Sequence, residues 1–370
     1  MTEDWRLLVS FLPADWRALA AETGALKGLR KDKSEETLLR VLLLYLGSEH
    51  SLREAAAQAK DSKLADLSAV ALWKRLKKSK EWLRALCIDL LRERGIDLSK
   101  TSGFQVRAVD TATVKEAGKT GSQWRIHYSL RLPSLNCDSF KVTEMEGRAR
   151  GESLSSLSIK EGDHVLASWP YSTAADIHHV ATAGGRVIVP LDAEMLTLRT
   201  HEGRPFDILT ALQSVRSAGA VQSWRAKAVD QKGGAVEGRV CALRKSEAGI
   251  WLAHQTLRME GLRRDQPLQP ESFEFGKHVT VFSTFPVAGF TDVDILEWYR
   301  IGWQVELAFR RFKSIAQLGH LPKRDDEGAK AWLYGKLLVA LLVEKLIGHA
   351  SSTAPWGYQL KAPGVPQSRE

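Results

Sequence analysis

The sequence predicts an all-helical amino-terminal domain followed by an α/β domain built on a mixed sheet, and two observations lead to that class. Through the first 98 residues apolar side chains recur at three- and four-residue spacings, as in Leu38, Leu39, Leu42, Leu43 and Leu46, the period of helices that bury one face. From Phe104 the period shortens to that of strands in FQVRAVD, WRIHYSLRL and SFKVTEM, and a strand, helix, strand alternation follows. A chain of 370 residues has room for a helical module beside an α/β core.

Within the helical part, Ser51 with Glu54 makes a capping box, and Ser68 starts a further helix. That helix, SAVALWKRLKKSKEWLR, offers Val70, Leu72, Trp73 and Leu76 for inward packing and gathers Lys74, Arg75, Lys77, Lys78 and Lys80 within two turns. Short helices followed by a basic one suggest a helix-turn-helix that meets DNA phosphates or a groove; a solvated amphipathic face is the plainer alternative.

In the second part the turn-like segments EAGKTG and PSLNCD separate three strands, which implies an antiparallel meander. HVLAS, the helical YSTAADIHHVATA and the strand RVIVPL come next, an order that matches a ribonuclease-H-like mixed sheet. The expected organisation is a helical DNA-binding domain over 1–98, a first half of the core over 99–194, a β-rich insertion over 195–275, a second half over 276–350, and a loosely ordered tail over 351–370. The second half contains the core strand HVTVFSTF and a long helical stretch from Asp292.

Composition limits the partners. A net charge of +9 favours a polyanion, because Lys and Arg displace the counterions condensed on nucleic-acid phosphates. Cys87, Cys137 and Cys241 are far apart and show no paired metal-ligand spacing, as reduced thiols in a cytosol would. The opening MTEDWRLLVSFLPADW lacks a secretory leader, and LYGKLLVALLVEKLIG is interrupted by Lys336 and Glu344, so a buried helix and no membrane association are expected.

Two acidic residues stand where chemistry could occur. Asp110 ends the apolar strand FQVRAV, and strand ends in α/β sheets gather ligands, although a turn-forming Asp is common there. Glu306 lies in a helix dense with Trp298, Tyr299, Arg300, Trp303, Arg310, Arg311 and Lys313, where intrahelical ion pairs with Arg310 or Lys313 are the alternative to a functional role. Adjacent His178 and His179 point to different sides of a helix, and the GKT around Gly118 lacks the spacing of a phosphate loop.

The string WYRIGWQVELAFRRFKS resembles the Tyr-Arg-Glu-Lys signature of DDE transposases of the insertion-sequence-four family, with Tyr299, Glu306 and Lys313 at the signature spacings. VDTATVK resembles the first-Asp block, GDHVLASWPY the second-Asp block, and PADWRALAAETGAL with SLREAAAQAK the amino-terminal helices, so the resemblance spans about residues 10–350. It implies a ribonuclease-H-like fold and carboxylates that hold two divalent metals, Mg2+ or Mn2+, for cleavage and strand transfer of double-stranded DNA at terminal inverted repeats and target. It further implies a DNA-bound homodimer in the bacterial cytoplasm, associated with the nucleoid. Asp110 and Glu306 would be metal ligands, while Tyr299, Lys313, Arg300 and Arg310 would meet phosphates and Trp298 or Trp303 an unpaired base.

Two positions depart from the pattern. Ser168 stands where the family has its second catalytic Asp, and Gly302 where the signature has Arg. A hydroxyl is a weak, neutral ligand beside a dication, and Gly cannot replace a five-donor guanidinium. Asp163 lies at the opposite end of the same strand, and Asp176 reaches the site only if its helix starts unusually close. The alternative expectation is therefore a transposase-derived DNA-binding protein that does not cut.

Overall fold

A computed structural model describes residues 2–29, 34–48, 50–115, 123–144, 153–191, 196–230, 233–264, 269–315 and 325–352. The tail from 353, the segment 116–122 and the side chains beyond Leu307 in the long helix lie outside the described residues. By packing, the chain divides into one unit of residues 1–96, 113–124 and 308–370 and another of 97–112 and 125–307.

The first unit contains the helices α1 (Thr2–Ser10), α2 (Trp16–Glu22), α3 (Glu35–Leu46), α4 (Leu52–Asp61), α5 (Ala69–Lys78) and α6 (Lys80–Glu93). The expected capping box forms: Ser51 N donates to Glu54 Oε2 at 2.7 Å and Glu54 N to Ser51 Oγ at 3.2 Å. Ser68 caps α5 by accepting from Ala71 N at 3.2 Å. The stretch expected as one basic helix is two, because the chain turns at the fully buried Ser79, whose amide bonds back to Arg75 O and Leu76 O. Leu72 and Leu76 face inward as expected, whereas Val70 is 63% exposed.

A last helix, α12 (Asp326–Ser352), packs against α3, α5 and α6. The sequence places this stretch in the second half of the core, and the structure groups it with the amino-terminal helices. Trp73 lies directly on Gly328, where any Cβ would collide with its ring, and donates to Asp325 Oδ2 at 3.0 Å. Lys336 and Glu344 interrupt the apolar run of α12, and Glu344 pairs with Arg94. Among the described residues no helix is long and apolar enough to cross a membrane.

The strands are β1 (Gln105–Lys115), β2 (Gln123–Leu132), β3 (Asn136–Glu144), β4 (Asp163–Ala167), β5 (Arg186–Pro190), β6 (Thr197–Arg199), β7 (Val221–Val229), β8 (Ala235–Arg244) and β9 (His278–Ser283). They form one sheet in the order β3-β2-β1-β4-β5-β9-β8-β7-β6. The expected mixed sheet is present: β4 pairs parallel to both β1 and β5, and β9 joins β5 antiparallel. One face carries an apolar cluster in which α7 (Ala174–Thr182) covers Val109, Val165, Ala167, Val187 and Val189 with Ile177 and Val180.

The inserted stretch is less purely β than expected. Beside β6, β7 and β8 it contains α8 (Ile208–Gln213), α9 (Glu247–Arg264) and α10 (Pro270–Gly276), and its strands continue the main sheet at the far side of β9. Leu252, Met259 and Leu262 on α9 are 61%, 56% and 79% exposed. Without a buried stripe, α9 leaves no helical period to read. Arg239 on β8 donates to Asp292 Oδ1 at 2.6 Å and Ser223 on β7 to Asp292 Oδ2 at 2.7 Å. Asp292 is the first residue of α11 (Asp292–Ile315), so the inserted strands anchor the start of that helix.

Candidate active site

Parallel pairing of β1 with β4 aligns Val109 with Ala167, so Asp110 and Ser168 follow side by side. Asp110 is not the end of its strand, because β1 runs on to Lys115; it marks the point where its neighbour β4 stops. Strand alternation then sets Ala108 and Asp110 on the same face as Leu166 and Ser168, opposite the cluster under α7. Glu306 on α11 meets that face, and Asp110, Ser168, Glu306, Tyr128, Tyr299 and Gly302 line a common cavity.

All three chemical groups are buried: Asp110 is 6%, Ser168 4% and Glu306 7% exposed. Tyr128 on β2, which the sequence did not single out, donates its hydroxyl to Asp110 Oδ2 at 2.7 Å. Burial pushes the Tyr128 phenol well above its ordinary value, and the nearby Asp110 and Glu306 add to the rise, so it stays a proton donor. Its alternation between polar and apolar neighbours on a strand gave no sign of this partner. Ser168 Oγ is buried with no hydrogen-bond partner among the described residues.

The two acidic residues considered as substitutes for a carboxylate at position 168 have other duties. Asp163, at the start of β4, is fully buried and accepts from Arg107 at 3.2 Å and Arg131 at 3.4 Å. Asp176, in the first turn of α7, takes Leu154 N at 2.6 Å, Ser153 Oγ at 2.9 Å and Thr173 Oγ1 at 2.6 Å. Neither lines the cavity.

Gly302, which stands where the signature has Arg, has a packing role in the fold. A Cβ there would stand 3.2 Å from Leu166 Cβ and 3.3 Å from its Cδ1, tighter than ordinary contact. Glycine therefore lets α11 lie close over β4 beside Ser168.

Trp298 is not available to a base. It is 5% exposed, with ring centroids of Phe104, Phe285 and Phe290 at 5.1, 5.6 and 5.4 Å. Trp303 is 38% exposed on the cavity wall. Arg300 is exposed but engaged, donating to both oxygens of Glu297 at 2.8 Å. That pair, with Lys100, holds the Glu297 carboxyl down at about 2. The side chains of Arg310 and Lys313 lie outside the described residues.

In the helical unit the basic cluster divides. Arg75 donates to the carbonyls of Lys27 and Gly28, and Lys77 pairs with Asp325 at 2.8 Å. Lys74 and Lys78 are exposed, with no ion pair described for either.

The groups of the cavity that could hold a cation are oxygens, the carboxylates of Asp110 and Glu306 and the hydroxyl of Ser168 beside the phenols of Tyr128 and Tyr299, which suits a hard divalent cation. The cavity lacks the third carboxylate of a two-metal centre, and among the described residues no group of three His, Cys, Asp or Glu side chains could hold a metal.

Comparison with known proteins gives a consistent family. A family model described as the transposase DDE domain matches residues 152–342. The InsL protein of insertion sequence element IS186A of Escherichia coli K12 is 28% identical over 93% of this chain and 94% of its own length. The transposase for insertion sequence element IS421 of Escherichia coli is 28% identical over the same shares.

Proposed function

Because the chain belongs to the transposase DDE-domain family, we propose that it binds the terminal inverted repeats of an insertion sequence and performs metal-dependent cleavage and strand transfer of double-stranded DNA. The observation that carries this reading is the meeting of Asp110 and Glu306 in one buried cavity at the point where β4 ends.

In this reading Asp110 and Glu306 would hold Mg2+ or Mn2+, and the hydrogen bond from Tyr128 holds the carboxylate of Asp110 in place. When bound, the cation supplies Lewis-acid stabilisation of charge at the scissile phosphate and activates the attacking oxygen. Tyr299 and Trp303 on the cavity wall meet the DNA end, and Lys313, Arg310 and Arg300 extend that contact along α11. Lys74 and Lys78, with Arg75 and Lys77 beside them, contact phosphates from the helical unit. The protein acts as a DNA-bound homodimer in the bacterial cytoplasm.

The test is incubation of the protein with DNA carrying the sequences that flank its own gene, in Mg2+ or Mn2+, with Glu306→Ala as control. Metal-dependent cuts at the ends, lost in Glu306→Ala, are expected. Specific end binding without cutting by the parent replaces this reading with that of a DNA-binding relative, which Ser168 at the second-Asp position would explain. A parent that neither binds nor cuts those ends overturns both.

A further inference from the structure

We propose that Asp110, Ser168 and Glu306 form a site for a single divalent cation per chain, in which the Ser168 hydroxyl is a neutral ligand. The inference rests on the functional reading above and narrows it.

The donor set leads to one cation. Two carboxylates, Asp110 and Glu306, line the cavity, and among the described residues no third acidic, His or Cys side chain joins them, so the second dication of a two-metal centre lacks carboxylates of its own.

The case for Ser168 as ligand is its isolation. Its side chain lines the cavity, is 4% exposed, and Oγ has no hydrogen-bond partner among the described residues. An unsatisfied buried hydroxyl costs about 1–3 kcal/mol. An occupant coordinated by Oγ removes that penalty, and the Ser168 amide bond to Val109 O at 3.0 Å fixes the residue beside Asp110 to receive it.

Mn2+ binding to the full-length protein, followed by electron paramagnetic resonance and equilibrium dialysis, tests the inference. One Mn2+ per chain is expected, with Ser168→Ala weaker by roughly tenfold or more, the equivalent of one lost contact to a charged partner. Ser168→Cys should shift preference from Mn2+ towards the thiophilic Cd2+, which a purely structural role of the hydroxyl would not produce. Ser168→Asp should tighten binding. Melting in EDTA shows whether each variant is folded.

Two Mn2+ per chain in the parent, no Mn2+ at all, or unchanged affinity in folded Ser168→Ala overturns the proposal. Binding of the terminal DNA in EDTA separates the two levels of inference: it persists when the cation site alone is wrong and is absent when the recognition of element ends on which the proposed function rests is wrong.

Discussion

The amide of Ser168 donates to the carbonyl of Val109 at 3.0 Å, continuing the β1–β4 ladder by one bond past the end of β4. A carboxylate introduced at 168 would therefore stand directly beside Asp110. Ser168→Asp is expected to lower the melting temperature in EDTA, by the equivalent of about 1–3 kcal/mol, because two buried like charges then share one site. Mg2+ should recover the loss and raise cleavage above the parent. Calorimetry with and without Mg2+ checks this, and a variant as stable as the parent in EDTA would show that the two groups do not face each other.

Gly302 should resist restoration of the family arginine. With Leu166 Cβ 3.2 Å from the site of a new Cβ, Gly302→Arg is expected to destabilise by about 1–3 kcal/mol through overpacking. Gly302→Ala should cost less, since its better helix propensity offsets about 1 kcal/mol. Placing Gly302→Arg on a Leu166→Ala background should relieve part of the strain relative to Leu166→Ala alone. Denaturant titration of the four proteins measures the coupling; additive effects would refute the close approach of α11 to β4.

The two tryptophans of α11 should separate stability from binding. Trp298→Ala removes the centre of an aromatic cluster and is expected to cost about 3–5 kcal/mol. Trp303→Ala should change stability by less than about 1 kcal/mol while weakening affinity for DNA with unpaired ends by about 1–3 kcal/mol. Equal destabilisation by both, or no binding defect in Trp303→Ala, would contradict their placement.

His127 gives the fold a pH dependence. Its Nδ1 lies 3.1 Å from Tyr171 Oη and its Nε2 3.1 Å from Thr143 Oγ1. Burial, helped by Arg125 and Lys141, lowers it to about 4. The unfolded chain takes up the proton first, so its contribution to stability falls as pH drops from about 6.5 to about 4 and is level below that, with a slope of up to about 1.4 kcal/mol per pH unit. Asp176, whose carboxyl burial raises, works in the opposite direction. His127→Gln should flatten the difference between pH 7 and pH 4.5 in urea unfolding; an unchanged difference would rule the histidine out as its source.

What the sequence made legible follows the strength of its local signals. The apolar runs HVLAS and RVIVPL on either side of a helical stretch were enough to foresee the mixed sheet in which β4 pairs parallel to β5, and the Ser51–Glu54 cap marked its helix. Glu306 was legible through a motif and not through any local preference. Tyr128 was not, because its partner is set by register between β1 and β2, and a hydrogen bond across strands leaves no trace in spacing. Trp298 and Trp303 carry the same residue type five positions apart, and only the packing of α11 decides which is core and which is wall. The break at Ser79 has neither glycine nor proline to announce it.

The sheet grows outward from β9 through β8 and β7 to β6, at the edge away from Asp110 and Ser168. At about 4.8 Å per strand, β6 is roughly 24 Å from β4. Loops and side chains on that margin can drift without disturbing the carboxylates, whereas Arg239 and Asp292 cannot, since they tether the margin to the helix of Glu306. A disturbance of that margin therefore reaches the helix of Glu306 through the tether at Asp292.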